Sequence, residues 1–275
     1  MRSTNPVLSK PDAWAQPQFA QGPQQPGQYG YAQEPYGQPV QDPYAQPQLS
    51  QPQGVMTIDD VITKTAVTMG VLVLSAALTF LFMPWQFVQP AMIVGGLVAF
   101  GVVLLVSFRR KISPAFVLAY SLIEGVFIGA LSLVFETIYP GIVTPAVLGT
   151  FVAAGITLAA YKAFRIRVTS QFRKMVIIGT MAYAGVLLLN LVLSFFGINL
   201  GIISITGQVS MIALLASAIG VGLAVMNLIL DFDYIEQGIA VRAPASESWR
   251  GAFGLTVTMV WLYTEILRIL SYFRR

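Results

Sequence analysis

Seven apolar stretches, each about twenty residues long, limit most strongly what this chain can fold into. At about 1.5 Å of rise per residue, a helix of this length crosses the roughly 30 Å of hydrocarbon in a bilayer. The stretches are Ala66–Met83, Pro90–Phe108, Pro114–Phe135, Pro145–Phe164, Met175–Phe196, Val209–Leu230 and Ala252–Tyr272. We therefore predict an all-α, polytopic integral membrane protein with seven transmembrane helices.

Composition supports this class and removes several kinds of chemistry. Hydrophobic residues make up 56% of the chain and charged residues 10%, against about 25% charged in a typical soluble domain. There is no cysteine and no histidine, which excludes disulfides, thiol chemistry and His-based catalysis. Oxygen ligands remain, and these suit Ca²⁺, Mg²⁺ or protons. We expect no cofactor and, because the basic residues form no continuous stripe, no nucleic-acid partner.

The first 54 residues differ from the rest of the chain. They are rich in Pro, Gln, Gly and Tyr and poor in aliphatic residues, so they cannot bury enough apolar surface to offset the entropy of ordering. We predict a disordered cytoplasmic tail over residues 1–54 and a membrane domain over residues 55–275. A docking role for its repeated Pro-Tyr units is the alternative. Met56–Lys64 is predicted to be a short interfacial helix before the first span.

The connections between the apolar stretches carry the orientation signal. Lys and Arg are absent from those after the first, third and fifth stretches, whereas the three that alternate with them hold ten. Such alternation indicates that the basic connections are cytoplasmic. We expect a multi-pass protein of the cell inner (plasma) membrane with a cytoplasmic N-terminus. Arg274 and Arg275 then lie outside, so a re-entrant last segment is the alternative to a full crossing.

Carboxylates inside or beside the apolar stretches are the candidate functional groups. The sixth stretch runs into Asp231, Asp233 and Glu236, while Glu265 and Glu124 lie within the seventh and third. Ionised groups at membrane depth are costly and are usually functional. The last helix should be central, because its polar residues, Glu265 among them, would not tolerate lipid.

Small and polar residues also share helix faces. In the third stretch, Gly125 and Gly129 form a small-xxx-small surface suited to close helix contact. In the sixth, one stripe of small and polar residues ends at the acidic cluster and includes Asn227 and Asp231. Ordinary packing explains the glycines, but it explains Asn227 and the acids less readily.

Taken together, these motifs resemble the Bax inhibitor-1 family of membrane proteins. The resemblance depends on the EG-x3-G helix containing Glu124, the Phe232-Asp233 dipeptide with nearby Gln237, and an acid within LYTEILRIL. It covers the chain from Asp60 to the C-terminus. The N-terminal tail lies outside it.

The resemblance implies a pH-sensitive Ca²⁺ leak channel in which two aspartates, from the sixth and seventh helices, share a proton and latch the pore. This sequence departs from that pattern by having Glu in the second position. Carried over to this sequence, these proton-sensing and gating residues are Asp233 and Glu265. Two carboxyls held together in low dielectric titrate as one unit and, once ionised, accept a hard cation. We expect a cation pathway through Asp231, Asn227 and Glu124, with Asp231, Asp233 and Glu265 as transient calcium ligands.

Other interpretations of these residues stay open. Glu265 has the spacing for a local ion pair with Arg268, Asp231 and Glu236 could belong to a solvated helix end, and Glu124 could be a hydrogen-bonded buried carboxyl. Enzyme motifs such as HExxH are absent, and we expect no catalysis. The alternative function is a membrane interaction protein that modulates a membrane-bound ATP-dependent protease or a stress response, as the resemblance also implies.

Overall fold

The described part of the computed structural model comprises residues 54–109, 112–198, 200–202 and 210–274, and it is all-helical. All seven of its helices are long and apolar enough to span a membrane, which confirms the predicted fold class. They are α1 Ile58–Phe82, α2 Trp85–Phe108, α3 Pro114–Ile138, α4 Val143–Ala163, α5 Ser170–Phe195, α6 Met211–Ala240 and α7 Glu247–Phe273. The predicted tail, apart from Gly54, lies outside the described residues.

The start of α1 differs from the sequence prediction. Met56–Lys64 is not a separate interfacial helix, because α1 begins at Ile58 and continues without a break to Phe82. The Thr57 side chain accepts a hydrogen bond from the Asp60 backbone N–H at 3.2 Å and so caps the helix. Before it, Met56 is 2% exposed and donates its backbone N–H to the carbonyl of Ala243 at 2.8 Å. The chain is therefore fixed to the α6–α7 connection before the first span starts.

Helix α7 is the centre of the bundle, as predicted. It packs against α1, α3, α4 and α6. Its polar side chains reach separate neighbours: Thr256 bonds to Thr68 of α1 at 3.1 Å, and Tyr263 bonds to Ser132 of α3 at 2.7 Å. Because each of these groups is buried, a partner on the facing helix removes the cost of leaving it unsatisfied.

The glycine face of α3 brings α1 close, which confirms the predicted small-xxx-small surface. A Cβ on Gly125 would lie 2.6 Å from the carbonyl oxygen of Leu72, so the two helix backbones are nearly in contact there. A Cβ on Gly129 would meet the carbonyl of Ala76 in the same way. Ser75 of α1 uses the approach to donate a hydrogen bond to the Leu122 carbonyl at 2.8 Å.

Helix α7 runs from the α6–α7 connection to the other end of the bundle, beside the α3–α4 connection. It is unbroken over 27 residues, or about 40 Å, which exceeds the hydrocarbon thickness. Beyond it, Arg274 donates hydrogen bonds to the carbonyls of Pro140 at 2.6 Å and Gly141 at 3.2 Å in the α3–α4 connection. The two ends of α7 thus lie at opposite ends of the helix bundle, which supports a full crossing of the membrane over the re-entrant alternative.

Candidate functional site

The acidic end of α6 sends three carboxylates to three different helices. Helix α6 has 30 residues, about ten more than are needed to cross the hydrocarbon, so its last turns extend to the bilayer boundary. There Asp231 faces α7, Asp233 faces α5 and Glu236 faces α4, each with a hydrogen-bond donor from that helix. At about 100° of rotation per residue, Asp231 lies on the side of α6 opposite Asp233 and Glu236, which are neighbours at i and i+3.

Asp233 is held in an ion pair. Its Oδ2 accepts hydrogen bonds from Nη2 of Arg173 at 2.8 Å and from Nε2 of Gln237 at 2.6 Å. The residue is 8% exposed, whereas the Arg173 side chain is 47% exposed and reaches it from the first turn of α5. The arginine neutralises a carboxylate that would otherwise be buried and unpaired.

Asp231 lies in a different environment, between α6 and α7. The Thr258 hydroxyl donates a hydrogen bond to Asp231 Oδ2 at 2.6 Å, and no cationic side chain pairs with this carboxylate among the described residues. Gly254 makes room for it, since a Cβ there would lie 3.0 Å from Asp231 Oδ1. One turn earlier, the Asn227 amide nitrogen donates to Thr180 Oγ1 at 2.7 Å, leaving its carbonyl oxygen as an acceptor.

Glu265 forms the second buried polar cluster. It is 1% exposed and accepts hydrogen bonds from the Tyr183 hydroxyl at 2.7 Å, from Arg268 at 3.1 Å and from the Trp261 indole N–H at 3.3 Å. The local pair with Arg268 that the sequence allowed is therefore present. The Tyr183 contact crosses from α5 to α7 through a gap at Gly220, where a Cβ would lie 2.6 Å from Glu265 Cδ.

The structure does not bring Asp233 and Glu265 together. Glu265 packs against α6 at Gly220, and Asp233 follows Gly220 by thirteen residues, about 20 Å along the helix. Each carboxylate is bonded to its own arginine. A shared proton between them, as the resemblance implied, is not the arrangement in this structure. Within the described residues no group of three acidic side chains converges to hold a metal ion, so Asp231, Asp233 and Glu265 do not form one calcium site.

Glu124 is buried without a hydrogen-bond partner in the described part of the chain. It is 7% exposed on the inner part of α3, one turn from the buried Tyr120. The alternative of a hydrogen-bonded carboxyl is therefore not what the structure contains. No contact between Glu124 and Asp231 or Asn227 is formed.

Comparison with known proteins agrees with the seven-helix architecture. The family model described as Bax inhibitor 1 like matches residues 5–275. The chain belongs to this family. The match extends almost to the N-terminus, so the tail is part of the family match, contrary to the sequence-based expectation that it would begin near Asp60. A search of curated proteins finds no match.

In the described part of this Bax inhibitor 1 like protein, the seventh-helix side chain that hydrogen-bonds to a sixth-helix acid is Thr258 rather than Glu265. The sequence analysis missed two further partners of the acids, Arg173 and Tyr161. Tyr161 lies in the last turn of α4 and Arg173 in the first turn of α5, and of the two only Arg173 belongs to the basic residues that indicate orientation. Their spacing along the chain gives no indication that they meet α6, because Tyr161 precedes Glu236 by 75 residues and Arg173 precedes Asp233 by 60.

Proposed function

We propose that this protein is a proton-sensitive, calcium-permeable leak channel in which Asp231 and Thr258 form the controlling contact between α6 and α7. The observation that carries the proposal is the 2.6 Å hydrogen bond from the Thr258 hydroxyl to a carboxylate that has no cationic partner among the described residues. Asp233 and Glu265, which the resemblance pointed to, are each neutralised by an arginine. Their ion pairs suit them to a structural role.

Protonation changes what Asp231 can do at this contact. The ionised carboxylate only accepts hydrogen bonds, as it does from Thr258 here, and its oxygens suit a hard divalent cation. The protonated carboxyl group can itself donate a hydrogen bond, but it no longer suits a cation. Protonation therefore removes the cation site and changes the hydrogen bond that joins α6 to α7. A single half-buried carboxylate thus supplies a proton switch in a chain without histidine.

The pathway that we propose continues from Asp231 to Asn227 and includes Glu124. Asn227 lies one helical turn from Asp231 on α6, and its amide oxygen is available as a neutral ligand. Glu124 is buried, whereas Asp231 is half-buried, and it too has no cationic partner in the described residues. Calcium would pass these oxygens transiently and is the permeant ion rather than a resident cofactor.

We also propose that the protein lies in the inner (plasma) membrane with the N-terminus on the cytoplasmic side. The support is the charge distribution, since the basic connections α4–α5 and α6–α7 lie at one end of the bundle, where Tyr161 and Glu236 meet at 2.6 Å. Arg274 at the other end is bonded to two backbone carbonyls. Arg274 is therefore held in a contact at the end of a helix, and its charge carries little weight as a signal of membrane orientation.

Flux through purified, reconstituted protein tests the proposed function. Liposomes loaded with a calcium-sensitive dye should show Ca²⁺ entry that depends on the external pH, relative to protein-free liposomes. A membrane interaction protein, such as a modulator of an ATP-dependent protease, would carry no flux alone. Absence of flux at every pH in correctly folded protein would overturn the channel proposal and favour that alternative.

A further inference from the structure

A furrow runs between α1 and α4, and the proposed function does not use it. Within the described residues these two helices do not pack against each other, although both pack against α7. The floor of the furrow is formed by α7 and, at the larger cavity, by α6. Two cavities lie along the furrow, of about 310 Å³ and about 850 Å³. Met69 of α1 and Phe151 of α4 line both, so the furrow is continuous.

The two cavities differ in chemistry. The smaller one is lined almost entirely by apolar side chains, with Ala77 and Val147 on its opposite walls. The larger one lies at the basic end of the bundle and is also lined by three cations, Lys162, Arg165 and Arg167. An apolar trough that opens between cationic side chains at a membrane boundary matches an acyl chain joined to an anionic headgroup.

The three cations are available to a ligand. Among the described residues, none of them forms an ion pair or a side-chain hydrogen bond. The one acid lining the cavity, Glu236, already accepts the Tyr161 hydroxyl at 2.6 Å, and it leaves the cavity with a positive excess. Thr65, which also lines it, has a buried hydroxyl oxygen without a hydrogen-bond partner in the described part of the chain.

We propose that this furrow is a binding site for one anionic glycerophospholipid, whose phosphate is held by Lys162, Arg165 and Arg167 and whose acyl chain lies between α1 and α4. Charge complementarity selects the occupant, because a zwitterionic lipid would fill the trough equally well but would gain less from three cations. Each basic side chain near an anionic lipid surface contributes substantially to binding, so the three together should change the affinity on the order of a hundredfold.

Thermal unfolding of the full-length protein in detergent, titrated with phosphatidylglycerol or phosphatidylcholine, tests this site. Phosphatidylglycerol should raise Tm in a saturable way, and phosphatidylcholine should do so much less. The triple variant Lys162→Gln, Arg165→Gln, Arg167→Gln should weaken the phosphatidylglycerol effect about a hundredfold. The matched control, Arg109→Gln, Lys174→Gln, Arg242→Gln, removes the same charge from the same face outside the furrow and should bind normally. Equal losses in both triples would overturn the proposal.

Two further arms separate the lipid from other ligands. Ala77→Phe fills the apolar trough and should weaken phosphatidylglycerol binding, whereas Ala159→Phe, on an exposed α4 position outside the furrow, should not. Inorganic phosphate should not reproduce the Tm shift; full reproduction by phosphate would show a free-anion site instead.

Labelling of a single cysteine reports on the furrow while Lys162, Arg165 and Arg167 are all kept. Ala66→Cys places that cysteine in the lining of the larger cavity, and the native chain has no other. Phosphatidylglycerol should slow its labelling, and unchanged labelling would also contradict the proposal.

Discussion

Tyr183 of α5 and Glu265 of α7 hydrogen-bond at 2.7 Å across α6, through the space that Gly220 leaves open. The Tyr183 ring also stacks on Trp261, with ring centroids 5.8 Å apart. Three helices are thus joined at one point where the middle helix has no side chain. The same point contains the ion pair with Arg268.

Gly220→Ala should destabilise the protein, because the added Cβ would lie 2.6 Å from both Glu265 Cδ and the Tyr183 hydroxyl oxygen. Overpacking of this kind costs about 1–3 kcal/mol, measurable as a lower Tm in detergent. Gly222→Ala is the matched control on the same helix, since nothing lies within 4 Å of the added methyl group. It should leave Tm unchanged or slightly raised. Equal effects of the two substitutions would show that the contact through Gly220 is unimportant.

Glu265→Gln should cost about 3–5 kcal/mol of stability, because it leaves Arg268, whose side chain is only 14% exposed, without its counter-charge. The double variant with Arg268→Gln should lose less than the sum of the two single variants, since they share one interaction. Glu247→Gln is the control, as it removes an i, i+3 ion pair with Arg250 on the same helix that is about one quarter exposed. Its cost should stay below about 1 kcal/mol. Similar losses at positions 265 and 247 would contradict the structural role given to Glu265.

Deleting residues 1–53 should leave Tm unchanged, because their sequence is rich in Pro, Gln and Gly and offers no candidate core residue. Met56→Ala should instead cost about 2–5 kcal/mol, since Met56 packs with Val61 and Ile235 in a buried cluster. Val55→Ala is the neighbouring control, at a position that is 51% exposed. A large loss of Tm on truncation at residue 53 would place further stabilising contacts in the tail.

Single cysteines report orientation without background, because the native chain has none. Thr169→Cys in the basic α4–α5 connection should be labelled by a membrane-impermeant reagent only from the cytoplasmic side. Thr144→Cys and Phe273→Cys should be labelled only from outside; Phe273 is 75% exposed and follows the full crossing of α7. Labelling of positions 144 and 273 from opposite sides would support the alternative in which α7 is re-entrant.

The sequence predicts the architecture well because transmembrane spans are set by length and hydropathy, which are local properties. The close approach at the α3 glycine face follows from residues of α3 alone, such as Gly125. The central place of α7 likewise follows from residues of α7 alone, such as Glu265. The partners of the acids do not follow. Arg173 reaches Asp233 from a helix sixty residues earlier, and no local pattern records that contact.

The pairing of Asp233 with Glu265 could not be tested by sequence spacing alone. A depth estimate along straight helices depends on where each helix meets its neighbour, and that register is set by packing at positions such as Gly220 and Gly254. The antiparallel register of α6 and α7 places Asp231 beside Thr258 and carries Glu265 towards the other end. Thr258 is a hydroxyl residue, so a search for a second carboxylate passes over it.

The pH profile of Ca²⁺ flux in liposomes, compared between Asp231→Asn and Asp233→Asn, tests the central claim most directly. Both substitutions remove one carboxylate from the same end of α6, so they are matched in charge and place. Asp231→Asn should abolish the pH dependence, Thr258→Val should move the midpoint of the profile, and Asp233→Asn should retain the wild-type profile with reduced stability. If Asp231→Asn keeps the wild-type profile while Asp233→Asn loses it, the proton switch is not at the Asp231–Thr258 contact and the account is contradicted.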